Sequence, residues 1–398
     1  MAADRPNEII DWLIDEARLV DSPQLLRQLC ERLVAAGLPL WRVGVFVATL
    51  HPDLFGRAFI WRVGQDVDVS EADFAATDTE EFRTSPLSVV LQTGKAVRHR
   101  ISEAPQNILL DGLRAEGVTD YIALPLHFTD GSIHVSSWTT KRDSGFTEEE
   151  IATLTRVVPS LARVAEVRAL QRTATTLLNT YVGTRTGERI LAGQIRRGHT
   201  DLLHAAIWLS DLRGFTAISD RAPPIIVVDL LNRYFDCQVP AINAHGGEVL
   251  KFMGDGLLAI FPVADGGGDE ATVCRNALAA AHEARNAVRE LRYSLLGGPT
   301  EAVNFGLALH LGNVLYGNIG GSDRLDFTCI GPAVNLAARM EKLTAPLKRT
   351  IVASANFAQY APNDWQDIGE FAVAGFARAQ RVFGLRDEAD VAASEVAT

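Results

Sequence analysis

Two aspartates, Asp211 and Asp255, lie 44 positions apart, in the segments AAIWLSDLRGFT and EVLKFMGDGLLAIF. Each one ends or turns an apolar, strand-like run, so we expect both carboxylates at a sheet edge rather than on an open helix face. Two acidic groups brought together repel each other unless cations lie between them. This arrangement suits a pair of divalent metal ions that clamp the reacting groups of a nucleoside triphosphate.

Each aspartate also has a simpler explanation when it is taken alone. Asp211 is followed by Gly214, Phe215 and Thr216, and its carboxylate could merely cap the next helix. The backbone N–H groups of that turn could instead face phosphate oxygens. Asp255 lies in an Asp-Gly turn, which is common in hairpins for backbone reasons only. The two aspartates together, with strands in the right order between them, favour the metal site.

The elements that must position these residues begin near residue 203. Strand-like runs at 204–211, 248–253, 257–261, 303–311 and 313–319 alternate with helical stretches at 224–244, 270–291 and 333–343. The opening order of strand, helix, hairpin, helix and strand is that of a ferredoxin-like core. We therefore predict an α+β catalytic domain over residues 201–386, followed by a polar, disordered tail at 387–398.

Three segments of this region resemble the catalytic domain of class III nucleotidyl cyclases. They are AAIWLSDLRGFTAISD, GGEVLKFMGDGLLAIFP and ALHLGNVLYGNIGGSDRLDFTCIGPAVNLAARME. They occur in the family's order and at family-like spacing, over about residues 200–386. The resemblance implies an enzyme in which the ribose 3′-OH attacks the α-phosphorus, giving a 3′,5′-cyclic nucleotide and pyrophosphate.

The resemblance also implies roles for single residues. Asp211, Asp255 and the backbone carbonyl of Leu212 match the ligands of two Mg²⁺ or Mn²⁺ ions per active site. Lys251 matches the lysine that reads the purine edge. Thr328 falls where many members have Asp and one subclass has Thr. Because guanine-selective relatives typically carry Glu and Cys at these two places, the pair favours ATP as substrate.

Asn335 and Arg339 match the pair that orients the ribose and stabilises charge on the phosphate in the transition state. They are four positions apart in a helical segment, so they project from one face. An amide suits a ribose oxygen, and a guanidinium suits a phosphate. In this family the metal-binding aspartates come from one protomer, and the lysine and the Asn/Arg pair come from the other. The resemblance therefore implies a homodimer with two shared sites.

Two alternatives to an adenylate cyclase stay open. Ala374 stands where relatives place a phosphate-binding lysine, with Arg378 and Arg381 as candidate replacements, so a nucleotide-binding protein with little or no activity is one alternative. A guanylate cyclase is the other, because Cys329 is adjacent to Thr328 in the purine-reading segment. The segment GGGDE at 266–270 resembles the signature of diguanylate cyclases, but we interpret it as a helix cap.

Upstream of the catalytic region, residues 8–170 are predicted to form an α/β sensor domain that resembles a GAF domain. We expect helices at 8–36, 85–93 and 107–116, strands at 41–50, 58–63, 121–128 and 132–139, and a long helix from 148 to about 178. Thr147 and Glu150 fit a capping box for that long helix. GAF domains dimerise or sense small ligands, so an unidentified ligand is open here. Residues 171–200 follow as a helical, basic linker.

The composition excludes several other classes of protein. The net charge of −11 argues against a nucleic-acid binder, which needs a basic face. The four cysteines are scattered, which indicates a reducing compartment rather than a disulfide framework. The N-terminal segment is predicted to be an acidic amphipathic helix rather than a signal sequence. No apolar run approaches the roughly 18–20 residues that span a bilayer. We expect a cytoplasmic protein that does not bind membranes.

Overall fold

The computed structural model describes residues 5–16, 20–49, 54–263, 269–294 and 300–388. The chain forms two compact units, Met1–Leu177 and Leu178–Thr398. Within the described residues, every helix is too short or too polar to cross a lipid bilayer. Most of the GGGDE segment lies outside the described residues, but its Asp269 side chain accepts a hydrogen bond from the backbone N–H of Ala271 at 3.0 Å. This contact is a helix cap, as predicted.

The N-terminal unit is built on an antiparallel sheet with the strand order β3-β2-β1-β6-β5-β4. The strands are β1 (Arg42–Ala48), β2 (Leu54–Arg62), β3 (Asp68–Asp73), β4 (Val97–Arg100), β5 (Asp120–His127) and β6 (Ile133–Thr140). The helices are α1 (Arg5–Asp15), α2 (Ser22–Ala35), α3 (Phe74–Thr77), α4 (Glu80–Arg83), α5 (Pro86–Thr93), α6 (Ile108–Ala115) and α7 (Glu148–Val182). The predicted strands and the predicted helices at 85–93, 107–116 and 148–178 are confirmed. The predicted helix at 8–36 is divided into α1 and α2, because Asp21 caps a new helix and Pro23 lies in its first turn. The GAF resemblance stays a prediction.

The long helix α7 begins at the predicted capping box. Thr147 N–H donates to Glu150 Oε2 at 2.8 Å, and Glu150 N–H donates to Thr147 Oγ1 at 3.3 Å. Two of the free N–H groups at the helix start are therefore satisfied. The helix continues to Val182, so the chain passes from the first unit into the second without leaving helical structure. Gly183 then has a φ of +86° and precedes α8 (Thr184–Leu191).

The C-terminal unit contains an eight-stranded sheet in the described residues. Its order is β15-β16-β14-β12-β7-β9-β8, and β13 pairs with the far end of β12. The strands are β7 (Thr200–Leu212), β8 (Glu248–Met253), β9 (Gly256–Pro262), β12 (Phe305–Gly320), β13 (Leu325–Ile330), β14 (Ile351–Ser354), β15 (Trp365–Phe371) and β16 (Gln380–Leu385), with β10 (Arg292–Ser294) and β11 (Thr300–Ala302) as a separate hairpin. The helices are α9 (Phe215–Arg221), α10 (Pro224–Asp236), α11 (Val239–Ala244), α12 (Glu270–Glu290), α13 (Pro332–Glu341) and α14 (Ala355–Ala358).

Within the central strands β12-β7-β9-β8 each adjacent pair is antiparallel, and helices connect β7 to β8 and β9 to β12. This is the predicted ferredoxin-like order of elements. The core on one face of the sheet includes Trp208, Phe261 and residues of α12. The core on the other face includes Leu209, Leu258 and the small residues Ala333 and Ala337 of α13.

The predicted break between the strands at 303–311 and 313–319 is wrong, because both runs belong to the single strand β12. Gly312 pairs with Ala205 of β7 and continues the ladder. A Cβ at Gly312 would lie 2.9 Å from the Cβ of Ala333, so this glycine permits α13 to pack closely and does not form a turn.

Two other predicted boundaries also need correction. The helix predicted at 224–244 is divided into α10 and α11, because Pro240, in the first turn of α11, has no backbone N–H to continue a helix. The predicted tail begins too early. Arg285 binds Asp387 at 2.6 Å and Glu388 at 3.4 Å. The rest of the predicted tail, 389–398, lies outside the described residues.

Candidate active site

Asp211 and Asp255 are brought together by strand register. Asp211 lies near the end of β7, opposite Gly256 of β9 and Gly306 of β12. Asp255 occupies the two-residue turn between β8 and β9, directly before Gly256, and Gly254 in that turn has a φ of +69°. A Cβ at Gly256 would lie 3.2 Å from Asp211 Oδ1. Glycine at this position therefore leaves room for the carboxylate.

The electrostatics of the two aspartates match a site for cations. Burial raises the pKa of Asp211 to about 6, and the charge of Asp255 and a hydrogen bond with it act in the same direction. Among the described residues, neither carboxylate forms an ion pair with a basic side chain. Two facing acids and the nearby carbonyl of Leu212 are the oxygen donors that Mg²⁺ or Mn²⁺ prefers. No larger cluster of His, Cys, Asp or Glu suited to a metal occurs in the described ranges.

The turn after Asp211 leads directly into α9. Gly214 adopts a left-handed conformation, with a φ of +73°, at the N-cap of that helix, and no side chain caps it. Phe215 packs partly against the core, while Thr216 is exposed. The first backbone N–H groups of α9 therefore lack a side-chain acceptor, as the predicted phosphate-binding turn requires.

Lys251 lies on β8, just after a shift in register between Val249 and Lys251. Its cross-strand partner is Leu258, which belongs to the core beneath α13. Cross-strand partners share a face of a sheet, so Lys251 lies on the face that carries α13. Asp211 shares that face, because it is two positions from Leu209 of the same core.

Thr328 is located in β13, opposite Gly317 of β12. Its side chain is buried, and its Oγ1 atom has no hydrogen-bond partner. A buried hydroxyl without a partner costs about 1–3 kcal/mol, so this orphan atom needs an explanation. The neighbouring Cys329 is also buried, but in the core with Leu250 and Leu258 on the other face of β13.

Asn335 and Arg339 project from the exposed face of α13. The opposite face is buried through Ala333, Leu336, Ala337 and Met340. Within the described residues, neither side chain forms a hydrogen bond or an ion pair, and no such contact joins them to Asp211 or Asp255. The predicted pairing of the two residues on one helix face is consistent with this pattern of burial.

Glu341 lies close to Asp211 of the acidic pair, although none of the sequence motifs marks it. Its carboxylate is buried above Gly306, where a Cβ would lie 2.5 Å from Oε1. Burial and, secondly, the charge of Asp211 together raise the pKa of Glu341 to about 7. The only signal in the sequence is an acidic residue at the end of an otherwise apolar helix face.

Ala374 lies in an exposed turn after β15, beside Gly375 with its φ of +87°. Of the two candidate replacements for the expected lysine, Arg381 is bound to Asp367, with Nε 2.9 Å from the carboxylate. Arg378 is exposed and forms no ion pair with a described residue. Arg378 is therefore the better candidate of the two.

Comparisons with known proteins show what most of the C-terminal unit is similar to. Residues 200–382 match the family described as adenylate and guanylate cyclase catalytic domain. The chain is 34% identical over 150 residues to an adenylate cyclase of Anabaena cylindrica, which is 38% of this chain and 29% of that protein. It is 34% identical over 149 residues to adenylate cyclase 1 of Rhizobium meliloti, which is 36% and 21% of the two chains. The matches thus span less than a third of these relatives.

Among solved structures, the adenylyl cyclase CyaB from P. aeruginosa is 26% identical with a TM-score of 0.39, over 47% of this chain and 95% of that one. The guanylyl cyclase Cya2 is 28% identical with a TM-score of 0.40, over 47% and 93%. The family match alone assigns residues 200–382, a little under half of the chain, to the adenylate and guanylate cyclase catalytic domains.

Proposed function

We propose that this protein is an adenylate cyclase that converts ATP to 3′,5′-cyclic AMP and pyrophosphate. The observation that carries the proposal is the register of β7 against β9, which sets Asp211 beside Asp255 in a domain of the cyclase family. The carboxylates and the carbonyl of Leu212 would hold two Mg²⁺ or Mn²⁺ ions. Such ions neutralise phosphate charge and lower the pKa of a bound hydroxyl.

The remaining residues position the nucleotide for an in-line displacement. Asn335 would hold a ribose oxygen, Arg339 the α-phosphate, and the turn at Gly214 the triphosphate. The 3′-oxygen loses its proton to solvent and forms a bond to the α-phosphorus. The bond from that phosphorus to the bridging oxygen breaks, and pyrophosphate leaves with the bonding electrons. Positioning and charge stabilisation carry the catalysis.

A homodimer explains why the two halves of the site do not meet within one chain. Asn335 and Arg339 are exposed and unpaired among the described residues, and the acidic pair lacks a cationic partner there. Large apolar side chains are exposed nearby on β8, β12 and β13, namely Phe252, Met253, Leu315, Leu325 and Ile330. Such a patch is typical of a surface that another protein covers. Two copies would then form two shared sites.

The two faces of β13 support ATP rather than GTP as the substrate. Thr328 and Cys329 are both buried in the single chain, but Cys329 belongs to the core with Phe327, whereas the Thr328 hydroxyl lies on the opposite face and has no hydrogen-bond partner. Thr328 and Lys251 are left as the purine-reading pair. Adenine presents acceptor nitrogens and an amino donor, which a hydroxyl and an ammonium can satisfy.

A regulatory role for the N-terminal unit is part of the proposal. It is supported by α7, which carries the chain from the N-terminal unit into the catalytic unit as one helix.

The test is turnover of each nucleotide by the full chain with Mn²⁺ or Mg²⁺, with the products identified by mass spectrometry. We expect cyclic AMP from ATP, and a kcat/KM for GTP that is lower by about tenfold or more, since one mismatched polar group in a binding site costs at least about 1.4 kcal/mol. A preference for GTP would favour the guanylate cyclase. Binding of ATP without turnover at high Mn²⁺ would favour the inactive alternative.

A further inference from the structure

A cavity in the N-terminal unit lies between the sheet and the helices α2 and α7. Its empty space is about 620 Å³, part of which is open to solvent. The hydrophobic core of the unit reaches this cavity, because the lining residues Val47, Phe59, Ala165 and Ala169 pack against the core but are only partly buried. A partly buried apolar surface inside a cavity favours an apolar occupant over water.

Helix α7 gives the cavity its length and its polarity. It lines the cavity from Leu161 to Arg172, a stretch of about 16 Å at about 1.5 Å per residue. Leu161, Ala165 and Ala169 are four positions apart and therefore share one face of the helix. Leu161 is buried in the core, whereas Arg168 and Arg172 are partly exposed at the other end. The cavity is thus an elongated apolar slot with a cationic end.

The charges at the cationic end favour an anion. None of the described residues that line the cavity is acidic, although the chain has 49 acidic and 38 basic residues. Arg57, also in the lining, is paired with Glu71 on the neighbouring strand. Arg168 donates to the backbone carbonyl of Val20 and lies 3.5 Å from Ser22 Oγ. These contacts fix the Arg168 guanidinium at the rim of the cavity.

The Arg168 guanidinium is also partly withdrawn from water. Burial lowers the pKa of Arg168, against the opposing charge of Asp21. The Asp21 carboxylate is engaged as the cap of α2, where it accepts from the backbone N–H of Gln24 at 2.8 Å. A cation that has lost part of its hydration gains more from an anion than a cation in water does. A guanidinium can bind a carboxylate through two parallel N–H donors.

We propose that this cavity binds an unbranched aliphatic carboxylate. The chain lies along α7 beside Leu161 and Ala165, and the carboxylate is bound by Arg168 and Arg172. The elongated shape suits an extended chain, and the cationic rim gives the chain its direction. Because α7 continues to Val182, the occupant contacts the helix that leads into the catalytic unit. Only this link to regulation rests on the proposed function, and the binding site does not.

The test is isothermal titration calorimetry of the full chain with decanoate below its micellar concentration. We expect one decanoate per chain, bound about tenfold or more tighter than decanol, since a hydrogen bond to a charged group contributes that much. Octanoate should bind about tenfold more weakly than decanoate, because each buried methylene contributes about fourfold.

Two variants locate the ligand in the cavity. Ala165→Leu fills the slot and should weaken decanoate binding about tenfold or more, the effect of overpacking a filled site. Ala152→Leu is the matched control, because Ala152 is exposed on the same helix and does not line the cavity, and it should bind as the parent does. Arg172→Ala should weaken decanoate about tenfold and change decanol by less than about twofold. All variants should melt near the parent temperature.

Decanoate that binds no tighter than decanol, or that binds Ala165→Leu and the parent equally, would overturn the proposal. A chain that binds decanoate as expected but makes no cyclic nucleotide would keep this site and refute only the proposed function. The two failures are therefore distinguishable.

Discussion

Replacing Asp255 by alanine should abolish cyclic AMP formation, with a loss in kcat of at least about 10³-fold. The reason is that one of only two carboxylates in the proposed metal site is removed, and metal ions supply several kcal/mol of charge stabilisation in such reactions. The fold should persist, because the left-handed residue in this turn is Gly254, with a φ of +69°, and not Asp255. The measurement is kcat for ATP with saturating Mn²⁺, together with the melting temperature.

A matched control is available in the N-terminal unit, where Asp130 precedes Gly131 in the hairpin turn between β5 and β6. Asp130→Ala removes a hydrogen bond to Ser132 N–H and should leave kcat unchanged. In protein without metal, Asp255→Ala should also lower the pKa of Asp211, since the charge of Asp255 and its hydrogen bond both raise that pKa. Activity that persists in Asp255→Ala would contradict the assignment of the metal site.

Replacing Arg339 by alanine should lower kcat by about 10²-fold or more, the effect expected when one preorganised charge donor to the transition state is lost. The side chain is exposed at the end of α13 and contacts no described residue through a hydrogen bond or ion pair. Alanine is also the best helix former. The variant should therefore fold normally, and kcat with its melting temperature is the measurement.

Arg289→Ala is the control, because Arg289 is likewise exposed in the last turn of a helix, α12. It should retain the parent kcat. Asn335→Ala should reduce activity through the same face of α13. A value of kcat within about threefold of the parent in Arg339→Ala would show that the guanidinium does not reach the phosphate.

Much of the fold is predictable from sequence because its helices and strands have strong apolar periodicity. The exceptions have physical causes. β3 has exposed, polar side chains at the sheet edge, so no alternation of apolar residues marks it. A glycine such as Gly312 is typical of a turn, so the sequence suggests a break there. In the structure Gly312 continues the strand ladder, and the close approach of Ala333 leaves no room for a Cβ. The polarity of residues 387–398 predicts a tail, whereas Arg285 forms ion pairs with Asp387 and Glu388.

The residue types of the candidate site are predictable from the sequence motifs. The contacts between those residues are not, because they depend on which strands pair and in which register. The sequence places Asp211 at a strand end and Asp255 in a turn, and only the register of β7 against β9 makes them neighbours. Glu341 is not predictable from the motifs, because Gly306 and Asp211, which it approaches, lie on other elements.

The central claim is that acids from one copy of the chain act with Asn335 and Arg339 of a second copy. Mixing inactive Asp255→Ala with inactive Arg339→Ala protein tests it directly. Random exchange makes half of the dimers mixed, and each mixed dimer has one intact site of two, so cyclic AMP formation should recover to about a quarter of the parent rate. If the mixture, after demonstrated subunit exchange, stays as inactive as its components, the shared site is contradicted.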